Sequence, residues 1–188
     1  MRDEKAAPII AVFGSSQPQP GSEEYAEARY VGRLLGEAGF TVMTGGYGGT
    51  MAAVSQGAAD VGGHVIGVTS KRIEEYRPMP PNEWVVDEIR FDTQRDRLLH
   101  LVFNNDGMIA LPGGIGTLSE VALAWSMLQT GEMPERALVL LGHLWRETIL
   151  TYAQAETIRQ RDMDLLYLAN GPVTAVGFIK QRLASRLP

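Results

Sequence analysis

The sequence of 188 residues contains no cysteine. This absence excludes disulfide bonds, thiolate metal ligands and a cysteine nucleophile. Positive charge is also in deficit, since 17 lysines and arginines stand against 22 aspartates and glutamates, for a formal net charge of −5. A chain of this charge lacks the positive field that is typical of proteins binding duplex nucleic acid. We therefore predict no duplex nucleic-acid partner.

Long hydrophobic runs are missing as well. No apolar stretch approaches the roughly 20 residues that a bilayer-spanning helix needs, and the first apolar run, residues 8–13, is too short for the core of an export signal. We predict no membrane partner and a cytoplasmic location. Apolar residues make up 45% of the chain, enough for a packed core, and the length predicts a single nucleotide-binding domain over residues 1–188.

Short apolar runs alternate with segments of helical periodicity along the chain. The predicted strands are 9–13, 41–44, 65–68, 84–89, 108–111, 137–141 and 165–168. The predicted helices are 22–38, 50–60, 93–103, 118–129, 144–161 and 173–186, whereas 71–82 fits neither pattern and is predicted to be irregular. Strands that are apolar throughout are typical of a parallel sheet covered on both faces. We therefore predict an α/β fold, a doubly wound and mostly parallel sheet with helices on both faces.

Three predicted strand-to-helix turns are rich in glycine or serine: 14–16, 45–49 and 113–117. In an open parallel sheet such turns lie at one edge, where ligands bind. Glycine lets the backbone approach a phosphate closely, and the helix that follows offers unpaired N–H groups. One turn of this kind satisfies turn geometry alone, but three at one edge favour a phosphate-bearing ligand.

The common signatures of other chemistries are missing. No G-x-x-x-x-G-K-[ST] string is present, and Ser119 stands where a G-x-G-x-x-G pattern beginning at Gly114 needs its last glycine, which weakens an NAD interpretation. His64, His100 and His143 have no metal-ligand spacing, and no G-x-S-x-G supports a serine hydrolase. We predict no metal and no bound cofactor.

Glu120 is the acid that follows the third glycine turn. Thr117-x-x-Glu120 has the spacing of a capping box, in which Thr117 would be the N-cap and Glu120 would bond back to its N–H group. Local sequence alone favours this structural role over catalysis. The two roles are compatible, because a capping glutamate at a ligand-binding edge also faces the ligand.

The string Pro112–Glu120 matches the PGGxGTxxE motif, and the chain here resembles the LOG ("lonely guy") family, whose members are often mislabelled lysine decarboxylases. The Gly14-Ser15-Ser16 strand end and the Gly45-Gly46 turn leading to Met51 extend the resemblance. It implies a Rossmann-like fold, a homodimer, and hydrolysis of a nucleoside 5′-monophosphate at its N-glycosidic bond. The substrate would be AMP-like or a cytokinin riboside 5′-monophosphate, and the products a free base and ribose 5-phosphate.

The resemblance also implies roles for particular residues. Glu120 would hold or activate the attacking water, and Arg97 would orient Glu120 or grip the substrate. The implied substrate-binding residues are Gly113, Gly114, Gly116, Thr117, Ser15, Gly45 and Gly46. The implied reaction needs no metal and no cofactor.

The chain departs from the family beside Arg97. The family's His-x-Arg-Lys string aligns with Arg95, Arg97 and Leu98, so one substrate-contacting cation is missing or is supplied by Arg95. Without the resemblance, Arg97 would be interpreted as a solvated cation on an amphipathic helix.

Two alternatives to hydrolysis follow from the sequence. The lost lysine favours a non-catalytic nucleotide- or molybdenum-cofactor-binding carrier. A pyridoxal decarboxylase is disfavoured because no lysine lies in a glycine turn. For the dimer, Trp125 and Met127 are candidate contact residues, with ordinary core packing as their other interpretation.

Overall fold

A computed structural model describes residues 7–154 and 157–185. Its strands are β1 (Ile9–Phe13), β2 (Thr41–Thr44), β3 (Val65–Ser70), β4 (Asp87–Phe91), β5 (Gly107–Ala110), β6 (Ala137–Leu141) and β7 (Leu166–Ala169). They form one sheet in the order β4-β3-β2-β1-β5-β6-β7, and every neighbouring pair is parallel. The predicted α/β class with a parallel sheet is confirmed.

The helices are α1 (Glu23–Glu37), α2 (Thr50–Ala59), α3 (Lys71–Tyr76), α4 (Gln94–Phe103), α5 (Ile115–Thr130), α6 (His143–Tyr152), α7 (Gln160–Met163) and α8 (Pro172–Ala184). Buried residues of α1, α2 and α8 pack with Ile10 and Val12 of β1. Those of α4, α5 and α6 pack with Ala11 and Phe13 of the same strand. Because successive strand residues point to opposite faces, the two clusters lie on opposite sides of the sheet, which is covered on both.

The chain order reverses at the centre of the sheet. Strands β1 to β4 are added outward in one direction, and β5 then pairs with the other side of β1, with Phe13 opposite Ala110. Ligands of open α/β sheets bind at such a switch point, beyond the carboxyl ends of the strands. The turns that follow β1 and β5 therefore lie at the expected binding edge.

Several predicted boundaries were wrong. Strand β4 begins three residues later than predicted, and the predicted helix 144–161 is instead α6 and the separate α7, with 155–156 outside the described residues. The segment predicted to be irregular begins with α3, because the Ser70 side chain accepts a hydrogen bond from the Ile73 N–H group at 3.3 Å and caps that helix. No helix within 7–154 or 157–185 is long and apolar enough to cross a membrane.

Candidate functional site

The first two glycine turns are joined by direct contacts. The Thr50 N–H and hydroxyl groups both donate to the Ser15 carbonyl oxygen, at 2.8 and 3.0 Å. A Cβ atom at Gly14 would lie 2.2 Å from the Thr50 hydroxyl, and one at Gly49 would lie 2.3 Å from the Ser15 carbonyl oxygen. These two glycines are therefore required by close packing between the turns. Thr50 was missed as a site residue, although its place directly after the glycine run was a usable signal.

The first and third turns line one cavity of about 390 Å³ at the switch point. Its walls include Ser15 from the first turn, Gly113 from the third and Thr50 from α2. The other residues around it are Gln17, Pro18, Ser22, Glu24, Glu27, Leu111 and Pro112. The structure thus brings two of the predicted substrate-binding residues, Ser15 and Gly113, to a single opening.

Helix α5 begins earlier than predicted, and the predicted capping box is wrong. Its N-cap is Gly114, which supplies no side-chain bond, so Thr117 is the third helical residue and Glu120 the sixth. The extended glycine lets the helix start within the motif. Its first N–H groups consequently have no side-chain cap and can bind an anion. Glu120 therefore does not cap the helix, which is the structural role that local sequence favoured.

Glu120 is a buried carboxyl group, with 7% of its surface exposed. Within the described chain its side chain has no hydrogen-bond or ion-pair partner. No fully enclosed side-chain oxygen among those residues lacks a partner, so the Glu120 oxygens reach open space. Burial raises the pKa of this carboxyl from 4.5 to about 7, against the opposing effect of the Arg97 charge. The group is therefore a candidate general base near neutral pH.

Arg97 is buried as well, with 4% of its surface exposed, so its interpretation as a solvated cation is wrong. Its Nε donates to the Val68 carbonyl oxygen at 2.7 Å and its Nη2 to the Gly45 carbonyl oxygen at 3.0 Å. The guanidinium carbon lies 5.6 Å from the centre of the Tyr47 ring. Burial lowers the pKa of Arg97 and the Glu120 charge raises it. The two groups interact electrostatically, and no direct ion pair joins them in the described chain.

The remaining predicted residues lie at two places: Gly45 and Gly46 in the turn beside Arg97, and Gly114, Gly116 and Thr117 at the start of α5. Gly45 lies against Arg97, and Gly46, with φ of +78°, donates its N–H to the Thr44 hydroxyl at 3.1 Å. Thr117 is buried beneath Gly113, whereas Gly114 and Gly116 are exposed at the start of α5. No group of three or more histidine, aspartate or glutamate side chains is placed to hold a metal ion in the parts of the chain described.

The two positions at which the chain departs from the LOG pattern differ in their surroundings. The Arg95 side chain is 78% exposed and pairs with Asp96 at 3.0 Å. Leu98 is partly buried against the core on the α4 side of the sheet. Arg95 therefore does not join the buried pair of Arg97 and Glu120.

An alanine at Gly45 is expected to destabilise the protein. The added Cβ would lie 2.2 Å from Arg97 Nη2 and 2.5 Å from Met51 Sδ, so both side chains must shift, at a cost of about 1–3 kcal/mol. Gly48→Ala is the matched control, because a Cβ atom there meets nothing within 4 Å. Urea unfolding of the two variants and the wild type measures the difference. Equal stability of the two variants would contradict the packing described.

An apolar groove of about 790 Å³ lies between α5 and α6, on the face of the sheet that α4, α5 and α6 cover. Its walls include Ala122 and Trp125 of α5 and Tyr152 of α6. The Trp125 and Tyr152 rings meet edge to face, 6.2 Å apart, and Trp125 Nε1 donates to the Asp162 carbonyl oxygen at 2.6 Å. Leu118 and Tyr152 are 50% and 56% exposed. Met127, the other candidate contact residue, packs partly buried against the core.

Comparison with known proteins relates this site to one family. The model of the SLOG cluster4 family matches residues 7–158. The cytokinin riboside 5′-monophosphate phosphoribohydrolase LOG3 of Arabidopsis thaliana is 32% identical over 137 residues, and the match spans 71% of this chain and 62% of that protein. The enzyme of the same name from Mycobacterium marinum is 33% identical over 143 residues, which span 74% and 73% of the two chains. The predicted resemblance to the LOG family is confirmed.

Solved structures give a second group of similar proteins. The molybdenum cofactor binding protein from Rippkaea orientalis superposes with a TM-score of 0.75 at 26% identity, over 95% of this chain and 99% of that one. The molybdenum cofactor carrier protein from Chlamydomonas reinhardtii gives a TM-score of 0.73 at 26% identity, with the same coverage. The chain is thus similar in sequence to proteins named as hydrolases and in structure to proteins named as cofactor-binding or carrier proteins.

Proposed function

Because the chain belongs to the SLOG cluster4 family, we propose that it hydrolyses the N-glycosidic bond of a nucleoside 5′-monophosphate, releasing a free base and ribose 5-phosphate. The substrate is AMP-like or a cytokinin riboside 5′-monophosphate. The observation that carries this proposal is Glu120, a buried carboxyl without a protein partner, with its pKa near 7, one helical turn from the glycine motif. A purely structural glutamate would be paired or exposed.

The phosphate binds at the switch point. The uncapped N–H groups at the start of α5, from Gly114 to Thr117, bind the anion, and the helix dipole favours its negative charge. Gly113, directly before this helix start, lines the cavity that Ser15 and Thr50 also line. Backbone donors of this kind hold phosphate without a metal, and they leave the ribose and base directed along the sheet edge.

Glu120 acts on the attacking water. As a carboxylate it accepts a proton from that water while the oxygen bonds to C1′ of the ribose, and its charge stabilises the positive charge that develops on the sugar ring. The bond between C1′ and the base nitrogen breaks at the same time. The electron pair leaves with the base, which then takes up a proton.

Arg97 keeps Glu120 ionisable. Without a nearby cation, burial would hold the carboxyl in its protonated form, which cannot accept a proton. The positive charge opposes that effect, and the two carbonyl bonds to Val68 and Gly45 fix its direction. Arg97 is a positioning residue for the Glu120 charge and, if its fork also reaches the substrate, a binding residue.

A carrier function is the second candidate, and two observations favour it. The cofactor-binding protein from Rippkaea orientalis superposes on this chain over 99% of its length, with a TM-score of 0.75. Leu98 also replaces the family's lysine. A carrier would bind a phosphate-bearing ligand at the same edge without cleaving it.

Chromatography of reaction mixtures separates the two functions. The protein is incubated with AMP and with N6-substituted adenosine monophosphates, and free base and ribose 5-phosphate are quantified. Equimolar release of both products supports the hydrolase. Saturable nucleotide binding with no release over several hours supports the carrier and overturns the proposed reaction.

We also propose that the protein is a homodimer that buries the groove between α5 and α6. Ala122 lies exposed on the α5 wall of this groove, so Ala122→Glu is expected to place an unpaired charge in the interface and to yield monomers. Ala26→Glu is the matched control, an exposed alanine on α1, away from the groove. Size-exclusion chromatography with light scattering reports the mass. A wild-type monomer, or a dimer that survives Ala122→Glu, would contradict this interface.

A further inference from the structure

The turn from Gly45 to Tyr47 is held from two sides. On one side, Arg97 donates to the Gly45 carbonyl oxygen at 3.0 Å. On the other, Asn82 makes three short hydrogen bonds: its N–H donates to the Gly46 carbonyl oxygen at 2.8 Å, and its Nδ2 donates to the carbonyl oxygens of Gly46 and Tyr47, both at 3.0 Å. Strand β2 ends at Thr44, so these carbonyl groups have no strand partner. Asn82 supplies the donors that the sheet does not.

Asn82 is the last residue of the segment 70–82, and the first residue of that segment, Ser70, is hydrogen-bonded to the same turn. The Ser70 N–H donates to the Tyr47 hydroxyl at 2.9 Å, and that hydroxyl donates to the Ser70 carbonyl oxygen at 3.2 Å. Residues 71–81, between the two attachment points, include α3 and none of them is buried. The excursion from 70 to 82 therefore begins and ends on the turn that contacts Arg97.

We propose that Asn82 is a positioning residue, which fixes the Gly45–Tyr47 turn and, through that turn, the Arg97 guanidinium. The geometry requires this coupling because Arg97 uses the Gly45 carbonyl oxygen and the face of the Tyr47 ring, the two parts of the turn nearest the Asn82 bonds. Among the described residues no hydrogen bond joins Asn82 to Arg97 or Glu120, so its effect on either must pass through the turn. The inference rests on the proposed hydrolysis for its catalytic consequence.

The side chain of asparagine is specific for this task. Two carbonyl oxygens require a neutral group with two N–H donors, and the amide provides both. Its Oδ1 accepts in addition from the Trp84 N–H at 3.3 Å. Aspartate at this position has no donor and would place negative charge against the two carbonyl oxygens, so Asn82→Asp is expected to disturb the turn more than Asn82→Ala does.

The kinetic test compares kcat and KM for AMP hydrolysis. Because the phosphate site at the start of α5 is separate from the turn, Asn82→Ala is expected to lower kcat roughly tenfold while KM changes less than about twofold. Asn82→Asp lowers kcat further. Glu83→Ala, an exposed neighbour, is the control and leaves both constants unchanged. A proportional loss of folded protein with unchanged kcat per folded molecule would make Asn82 merely structural and overturn the proposal.

A second measurement is independent of activity. Arg97 is the one charged group that acts on the Glu120 carboxyl in the described residues, so displacing Arg97 leaves the burial effect less opposed. Carbon-13 NMR of the full chain, labelled in glutamate, is expected to show a higher pKa for Glu120 in Asn82→Ala than in the wild type. An unchanged Glu120 pKa would overturn the inference. If the wild type releases no base but the Glu120 pKa still differs between Asn82→Ala and the wild type, the proposed hydrolysis is refuted and the positioning role of Asn82 stands.

Discussion

Glu120→Gln is expected to abolish base release while making the protein more stable at alkaline pH. Glutamine cannot accept the proton of the attacking water, and the loss of a general base lowers kcat by about 10²–10⁴-fold. For the wild type, we expect kcat/KM to rise with pH through about 7, because Glu120 must be ionised and its pKa is raised to about 7. The pH–rate profile of the wild type and single-turnover assays of the variant measure these effects.

The stability gain follows from the direction of the same pKa shift. The folded chain holds the Glu120 proton up to about pH 7, whereas the unfolded chain releases it near 4.5. The unfolded state therefore loses its proton first, and the wild type is destabilised as the pH rises between these values, by at most about 3 kcal/mol. Glutamine does not ionise and avoids this cost. Urea unfolding at about pH 8 and about pH 4 measures it, and equal differences between the two proteins at both pH values would contradict the burial of a charge-bearing carboxyl.

Arg97→Met is expected to move the pH dependence of catalysis upwards and to destabilise the fold. Methionine fills much of the same volume but leaves the carbonyl oxygens of Val68 and Gly45 without their donor, which costs about 2–4 kcal/mol. The pKa of Glu120 rises above 7 because the opposing cation is gone, so activity near neutral pH falls further than activity at higher pH. Denaturant unfolding and pH–rate profiles report the two effects separately.

Arg95→Met is the matched stability control for this prediction. It removes a guanidinium from the same helix, but that group is 78% exposed, so the expected change in stability is within about 0.5 kcal/mol. The double variant Arg97→Met/Glu120→Gln adds a test of coupling. Because the two side chains interact electrostatically with each other, the fold loss of activity in the double variant is expected to be smaller than the product of the fold losses in the two single variants. Strictly additive losses would argue that Arg97 and Glu120 act independently.

The outline of this fold was predictable because its strands are apolar and its turns carry glycine. Strand β1 and the Ser22 cap of α1, whose side chain accepts from the Tyr25 N–H, follow directly from residue type. Element ends were harder to predict. The start of α5 was wrong because the spacing of Thr117 and Glu120 satisfies a capping box, whereas a glycine can begin a helix without any side-chain bond.

The residues of the candidate site were likewise only partly predictable from the sequence. Its glycines were visible in the sequence, and at Gly14, Gly45 and Gly49 close packing leaves no room for a Cβ atom. The burial of Arg97 was not visible, because the neighbouring charges are those of an exposed helix face. The carbonyl groups that hold it come from strand β3 and from the turn after β2, both distant in sequence. Asn82 and Tyr47 were missed for a similar reason. Their contacts join segments more than twenty residues apart, and no local pattern marks them.

The proposed anion site at the start of α5 and the Glu120 carboxyl, whose pKa is raised to about 7, lie four residues apart, from Gly116 to Glu120, on one side of the helix. A dianion bound at the first site disfavours negative charge at the second, so its arrival draws a proton from solvent onto Glu120. Under the proposed function, we expect proton uptake to accompany the binding of a nucleotide or of ribose 5-phosphate. The pH of the medium is then expected to change the affinity for either compound, separately from its effect on the rate of the proposed reaction.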